Sequence, residues 1–249
     1  MTWDYEVLTS GGDTYYADQI YRVFLYPDDG IADDFVDDGA IQRGAKQLCE
    51  QLLNYGTIDA YSIYRWTGGY FYDCPDGPYD ARSTMRDKIQ YHDLYYTGSH
   101  MLACSRFTNG AAETAHQDGD TAFSREKAGA IGTDGAGGTD LEDAVQTKNL
   151  TIHECTHTII REDIYRVQEL VNETGAGDEL DEVVHALGQV NDANCSIFYG
   201  TSTPFIIGYE PSLAGEGDCT NAGQDNCAYT TEMTSCTKWA IDESQEAEP

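Results

Sequence analysis

The chain has 249 residues, 40% of them hydrophobic, enough to bury a substantial core. Its 44 acidic residues against 14 lysines and arginines give a net charge of −30, which repels nucleic acid and anionic lipid. No run approaches the roughly 18 apolar residues of a membrane-spanning helix, and the opening MTWDYEVLTSGG lacks the basic-then-apolar order of a leader peptide.

In chain order, YEVLTS alternates enough to be a first strand. From 33 to 54, Ile41, Ala45, Leu48 and Leu52 recur at helical spacing and Gly56 closes the segment. IDAYSIYRW and GYFYD, separated by TGG, read as a hairpin. A short helix is expected over 83–92, then strands in HMLACSRF and KAGAIGT. The glycines of DGAGG follow. No lysine follows them and Asp134 and Asp140 flank them, so they read as a turn rather than a phosphate cradle. Thr139, with Glu142 three residues on, starts a helix in capping-box fashion. That helix is expected to run unbroken along the stripe His153, His157, Ile160, Ile164, Val167 and Val171, ending at NETGAG. Beyond about residue 175 the chain becomes irregular and cysteine-rich, with a last short helix in TEMTSCTKWAI.

This order predicts a mixed α/β fold, with a long helix and an active-site helix packed on a twisted mixed sheet. It predicts one domain over 1–241, with parts 1–174 and 175–241, and an acidic tail over 242–249. Eighteen tyrosines among the aromatic residues argue against disorder, so the acidity reads as the solvated surface of a protein from a high-salt organism. Eight cysteines with no Cys-x-x-Cys pair read mostly as disulfides of an exported chain, secreted or at the cell surface, its leader absent from this sequence. The triplets at Asn149, Asn172 and Asn194 match the glycosylation pattern, which is common by chance.

The stretch TIHECTH carries the chemistry. Residues four apart on a helix lie one turn above each other, so His153 and His157 aim their rings at one point. Zinc takes imidazole ligands, and a catalytic site keeps one position for water. Glu154 lies about 100° round the helix from His153, placed to take a proton from that water. Cys155, about 200° round, faces away. For the third ligand, His185 in EVVHALG is favoured, brought back by the turn at Gly175 and Gly177. Asp163 is the alternative, reachable only if the helix breaks at Ile160. On an unbroken helix it lies roughly 9 Å beyond His157. A carboxylate from Glu179, Asp181 or Glu182 is a further candidate. His92, His100 and His116 read as surface or structural.

HECTHTIIRED resembles the metzincin signature H-E-x-x-H-x-x-G-x-x-H/D, with Ile160 in place of the glycine and Asp163 in the last position. The chain thus looks like a zincin metallopeptidase, most like a metzincin, over roughly residues 5 to 236. The resemblance implies zinc-dependent hydrolysis of peptide bonds in a peptide or protein substrate, with Glu154 as base. It also implies a sheet-edge strand that pairs with the substrate, expected over 127–133, and a methionine turn under the metal. Met233 in TEMTSC is one match for that turn, and Phe205 in STPFIIGYE, near Tyr209, is another. The rival reading is a non-catalytic acidic exported binding domain with a structural or vestigial zinc site.

Overall fold

The computed structural model describes residues 4–13, 15–29, 31, 39–68, 74–107, 109–113, 120–133, 141–161, 163–170, 233 and 235–246. A mixed six-stranded sheet is its frame, in the order β1-β3-β2-β4-β6-β5. The strands are β1 (Tyr5–Gly12), β2 (Ile20–Pro27), β3 (Ala60–Trp66), β4 (Gly98–Cys104), β5 (Gly110–Ala112) and β6 (Glu126–Gly132). The four inner strands run parallel, while β1 and β5 lie antiparallel at the two edges.

The central strand β2, IYRVFLYP, is one that the alternation rule misses. Both its faces are buried, so it reads as a nearly continuous apolar run with no period of two. Its odd-numbered Tyr21, Val23 and Leu25 join one core and its even-numbered Phe24 and Tyr26 join the other. β3 has β1 on one edge and β2 on the other. The expected hairpin therefore has no free edge of β3 to use, and GYFYD itself lies outside the described residues.

Helices cover both faces. α1 (Ala40–Tyr55) buries its whole predicted stripe, Ile41, Ala45, Leu48 and Leu52, against the first core. α3 (Leu141–His157) packs on the same face, with Leu150, Ile152 and Cys155 in that core. The two helices meet so closely at Gly44 that an added Cβ would lie 2.8 Å from the Lys148 carbonyl oxygen, so α1 can carry no side chain there. On the opposite face α2 (Pro78–Tyr91) packs Ala81, Met85 and Ile89 into an aromatic core with Phe24 and Tyr26. From α2, Arg82 donates to the Ala112 carbonyl at 3.2 Å and Arg86 binds Glu113 and Glu126, which ties β5 and β6 to the helix.

Several sequence expectations change. KAGAIGT is not an edge: β6 sits between β4 and β5, and the edge is the three-residue β5. Residues 242–246 are not a tail but the last part of α5 (Ser235–Glu246). Ser244 is buried there, and Asp242 accepts a hydrogen bond from the Thr57 hydroxyl at 2.8 Å. Among the described residues Cys74 and Cys104 form a disulfide, whereas Cys49 and Cys155 are free and fully buried. Asn149 is fully buried on α3, which removes it as a glycosylation site. No described helix is long and apolar enough to cross a membrane.

Candidate metal centre

The expected continuous helix stops at the second histidine. α3 ends at His157, and a separate short helix, α4 (Tyr165–Leu170), follows. Tertiary bonds override the apolar periodicity here. The Ile159 and Ile160 amides both turn back to the Thr156 carbonyl, at 3.0 and 3.2 Å. The Thr158 carbonyl accepts the Ala122 amide at 2.8 Å instead of extending the helix. Its hydroxyl donates to the Cys155 carbonyl at 2.6 Å and lies 2.6 Å from the Ser99 hydroxyl on β4. The Arg161 amide then goes to the Ser244 hydroxyl on α5 at 2.9 Å. Ile160 and Val167 remain buried, so the stripe is real, but two helices and a turn present it.

At this helix end His153, Glu154 and His157 are brought together, and only 4%, 3% and 6% of their surfaces stay exposed. The two Nε2 atoms face each other 3.1 Å apart, with the rings crossed at 84°. Two nitrogens on one tetrahedral zinc, each bonded at 2.0–2.1 Å, stand about 3.3 Å apart. The spacing therefore fits two ligands of one ion, and it also allows a shared N–H···N bond between neutral rings. Glu154 Oε1 lies 3.9 Å from His153 Nε2, adjacent to that point rather than on it.

The carboxylate of Glu154 is seated against the sheet edge. A Cβ built on Gly110, the first residue of β5, would lie 2.6 Å from both Glu154 Cδ and Cγ. Glycine at the start of the edge strand is thus what admits the carboxylate. Sequence reasoning did not single out β5 or Gly110. A glycine after TN and before AA gives no strand signal on its own.

The remaining candidates fall in different places. Asp163 is partly exposed, and its two oxygens take Arg161 Nε at 3.2 Å and Nη2 at 2.9 Å. The helix does break, as a metzincin-like third ligand requires, yet in this arrangement the Asp163 carboxylate is bound to Arg161. His185, Glu179, Asp181, Glu182, Phe205 and Tyr209 lie outside the described residues, as does His116. Met233 packs in the same core cluster as Ile152 and Cys155, with its amide donating to Gln51 Oε1 at 2.8 Å. Burial, and after it the nearby Glu154 carboxylate, pushes the Cys155 thiol well up.

His100 is a contrasting case. It is fully buried in the aromatic core, its Nδ1 is 2.7 Å from the Tyr26 hydroxyl and its Nε2 is 2.8 Å from the Tyr96 carbonyl. The carbonyl can only accept, so Nε2 carries the proton and Nδ1 accepts from Tyr26. Burial pushes its pKa down to about 4. His92 is exposed.

Among the described residues one other group could hold a metal, Asp28 with Cys74 and Cys104. The disulfide occupies both sulfurs, and one Asp28 oxygen takes the Ser105 amide and hydroxyl, each at 3.0 Å. That group is structural. No known protein family matches the chain, and no curated protein is similar to it in sequence.

Proposed function

We propose that the protein is a zinc-dependent metalloendopeptidase of zincin-like fold, with His153 and His157 as ligands, Glu154 as general base and His185 as third ligand. The observation that carries this reading is the convergence of the two Nε2 atoms at 3.1 Å beside a buried carboxylate. Structural histidines in this chain are held differently, as His100 illustrates. Asp163 is the less favoured third ligand because Arg161 already binds both its oxygens.

A bound zinc ion would polarise the scissile carbonyl and acidify a water molecule. Glu154 takes the proton of the attacking water and hands it to the leaving amine. The outer edge of β5 is the last edge of the sheet and begins at the residue that touches Glu154. An extended peptide added antiparallel to β5 would lie with its backbone alongside that carboxylate. This takes over the role the sequence had suggested for residues 127–133.

Glu154→Gln should keep zinc and fold but lower hydrolysis of a general protein substrate by about 10²–10⁴-fold, the usual worth of a general base. Unchanged activity in that variant would sink the peptidase reading and leave the zinc-binding-domain reading in its place. The net charge of −30 further suggests a protein exported into high salt. Its melting temperature should rise by roughly 5 °C or more between dilute and molar salt, which at this size is about 2 kcal/mol. A flat response in calorimetry would remove the salt adaptation.

A further inference from the structure

The sheet face opposite the histidine pair carries a cavity of about 550 Å³, lined by Tyr5, Arg22, Phe24, Tyr64, Tyr95, Tyr96 and Thr97. That size is in the range of small-molecule sites. Its location follows from strand alternation. Arg22 and Phe24 point to the aromatic side of β2, whereas Tyr21, Val23 and Leu25 point to the core shared with α3. The cavity is therefore separate from the proposed catalytic centre, and the inference does not depend on the peptidase reading.

The walls are flat and ordered. Phe24 stacks on Tyr64 with centroids 4.9 Å apart at 11°, and on Tyr96 at 5.9 Å and 28°. Tyr5 stands edge-on to Tyr64 and Tyr96, and its hydroxyl is already engaged with that of Tyr26 at 2.7 Å. The Tyr96 end is fixed by its carbonyl, which accepts a hydrogen bond from His100 Nε2. Tyr95, 59% exposed, leaves ring surface for a ligand.

Arg22 gives the cavity its sign. The chain has 44 carboxylates and only 14 lysines and arginines, so a cation here has an excess of possible partners. Other arginines take them: Arg86 binds Glu113 and Glu126, Arg125 binds Asp120 and Arg161 binds Asp163. Among the described residues nothing pairs with the side chain of the half-buried Arg22. A guanidinium held in an aromatic wall matches a planar carboxylate bidentately. We propose that this cavity is a binding site for an aromatic carboxylate of one or two rings, the rings lying on the tyrosine faces and the carboxylate on Arg22.

The test uses the full chain in about 1 M KCl, where a screening length of about 3 Å removes repulsion from distant carboxylates but not a contact ion pair. Calorimetric titration with 2-naphthylacetate should show one saturable site, and the neutral 2-naphthylacetamide should bind about ten-fold or more weaker, the worth of a charge-assisted bond. Arg22→Gln should weaken the acid by a similar factor and leave the amide unchanged. Tyr95→Ala should weaken acid and amide alike. Equal affinity for acid and amide in the parent protein would overturn the proposal. So would an acid affinity untouched by Arg22→Gln, or no saturable binding up to about 10 mM, which is weaker than a small-molecule site of this kind. The acid-to-amide ratio is read on the parent protein, so it decides the matter even if a variant does not fold.

Discussion

The two faces of the sheet use histidine in opposite ways. On the aromatic face His100 has both nitrogens bonded to groups of its own protein, Tyr26 and Tyr96, and stacks on Phe24 with centroids 4.4 Å apart. On the aliphatic face His153 and His157 turn Nε2 atoms toward each other at a helix end. Burial alone does not separate them, because all three are nearly inaccessible. What separates them is which groups their ring nitrogens face. His100 donates its Nε2–H to a backbone carbonyl and accepts a hydroxyl proton at Nδ1, whereas His153 and His157 turn their Nε2 atoms toward each other.

The largest expected effect sharpens this contrast by metal content. The parent should carry about one equivalent of zinc. His157→Ala should lower zinc affinity by well over the roughly 10–100-fold that changing a ligand's outer partner costs. His100→Gln and Asp163→Ala should both leave the zinc content as it is. Zinc lost in Asp163→Ala, measured by elemental analysis after dialysis, would move the third ligand from His185 to Asp163.

Next in size is the pH dependence of the aromatic face. The folded pKa of His100, about 4, lies below the ordinary histidine value of about 6.5. The unfolded chain therefore binds more protons between those two values. Its contribution to stability is complete above pH 6.5 and is lost as pH falls toward 4, by about 3 kcal/mol at most. Urea unfolding of the parent and of His100→Gln at pH 7 and pH 4.5 checks this. The variant should lack that part of the pH slope, and an identical slope in both would show that His100 is not its source.

The smallest expected effect concerns the sheet edge at the aliphatic face. Gly110→Ala places a methyl group against Glu154 and should displace the carboxylate. Activity should drop about ten-fold with zinc content unchanged, a difference of about 1.4 kcal/mol in transition-state stabilisation. Full activity would mean that Glu154 can act from another rotamer.

Much of this was legible before the fold. The HECTH spacing alone placed His153, Glu154 and His157 on one helical turn, and the stripe of α1 is buried as read. Local periodicity failed where bonds distant in sequence decided the matter. β2 is buried on both faces and so has no alternation. The end of α3 is set by Ala122, Ser99 and Ser244, none of them near it in sequence. β5 is three residues long, too short for any pattern. The acidic run 242–246 looked like a tail because its charge hid Ser244, which packs inward.

The two borders of the sheet differ in how they meet another chain. β1 is eight residues long, but its pairing slips between Val7 and Thr9, and the exposed Glu6 lies on it. An irregular, charged border of that kind resists zipping against a second molecule, which guards the protein against aggregation at high concentration. β5 is regular but brief, with Gly110, Ala111 and Ala112 as its whole length. A strand laid on it gains only a few backbone bonds, each worth about 1 kcal/mol net. Among the described residues β5 is therefore the border from which an added strand would leave faster.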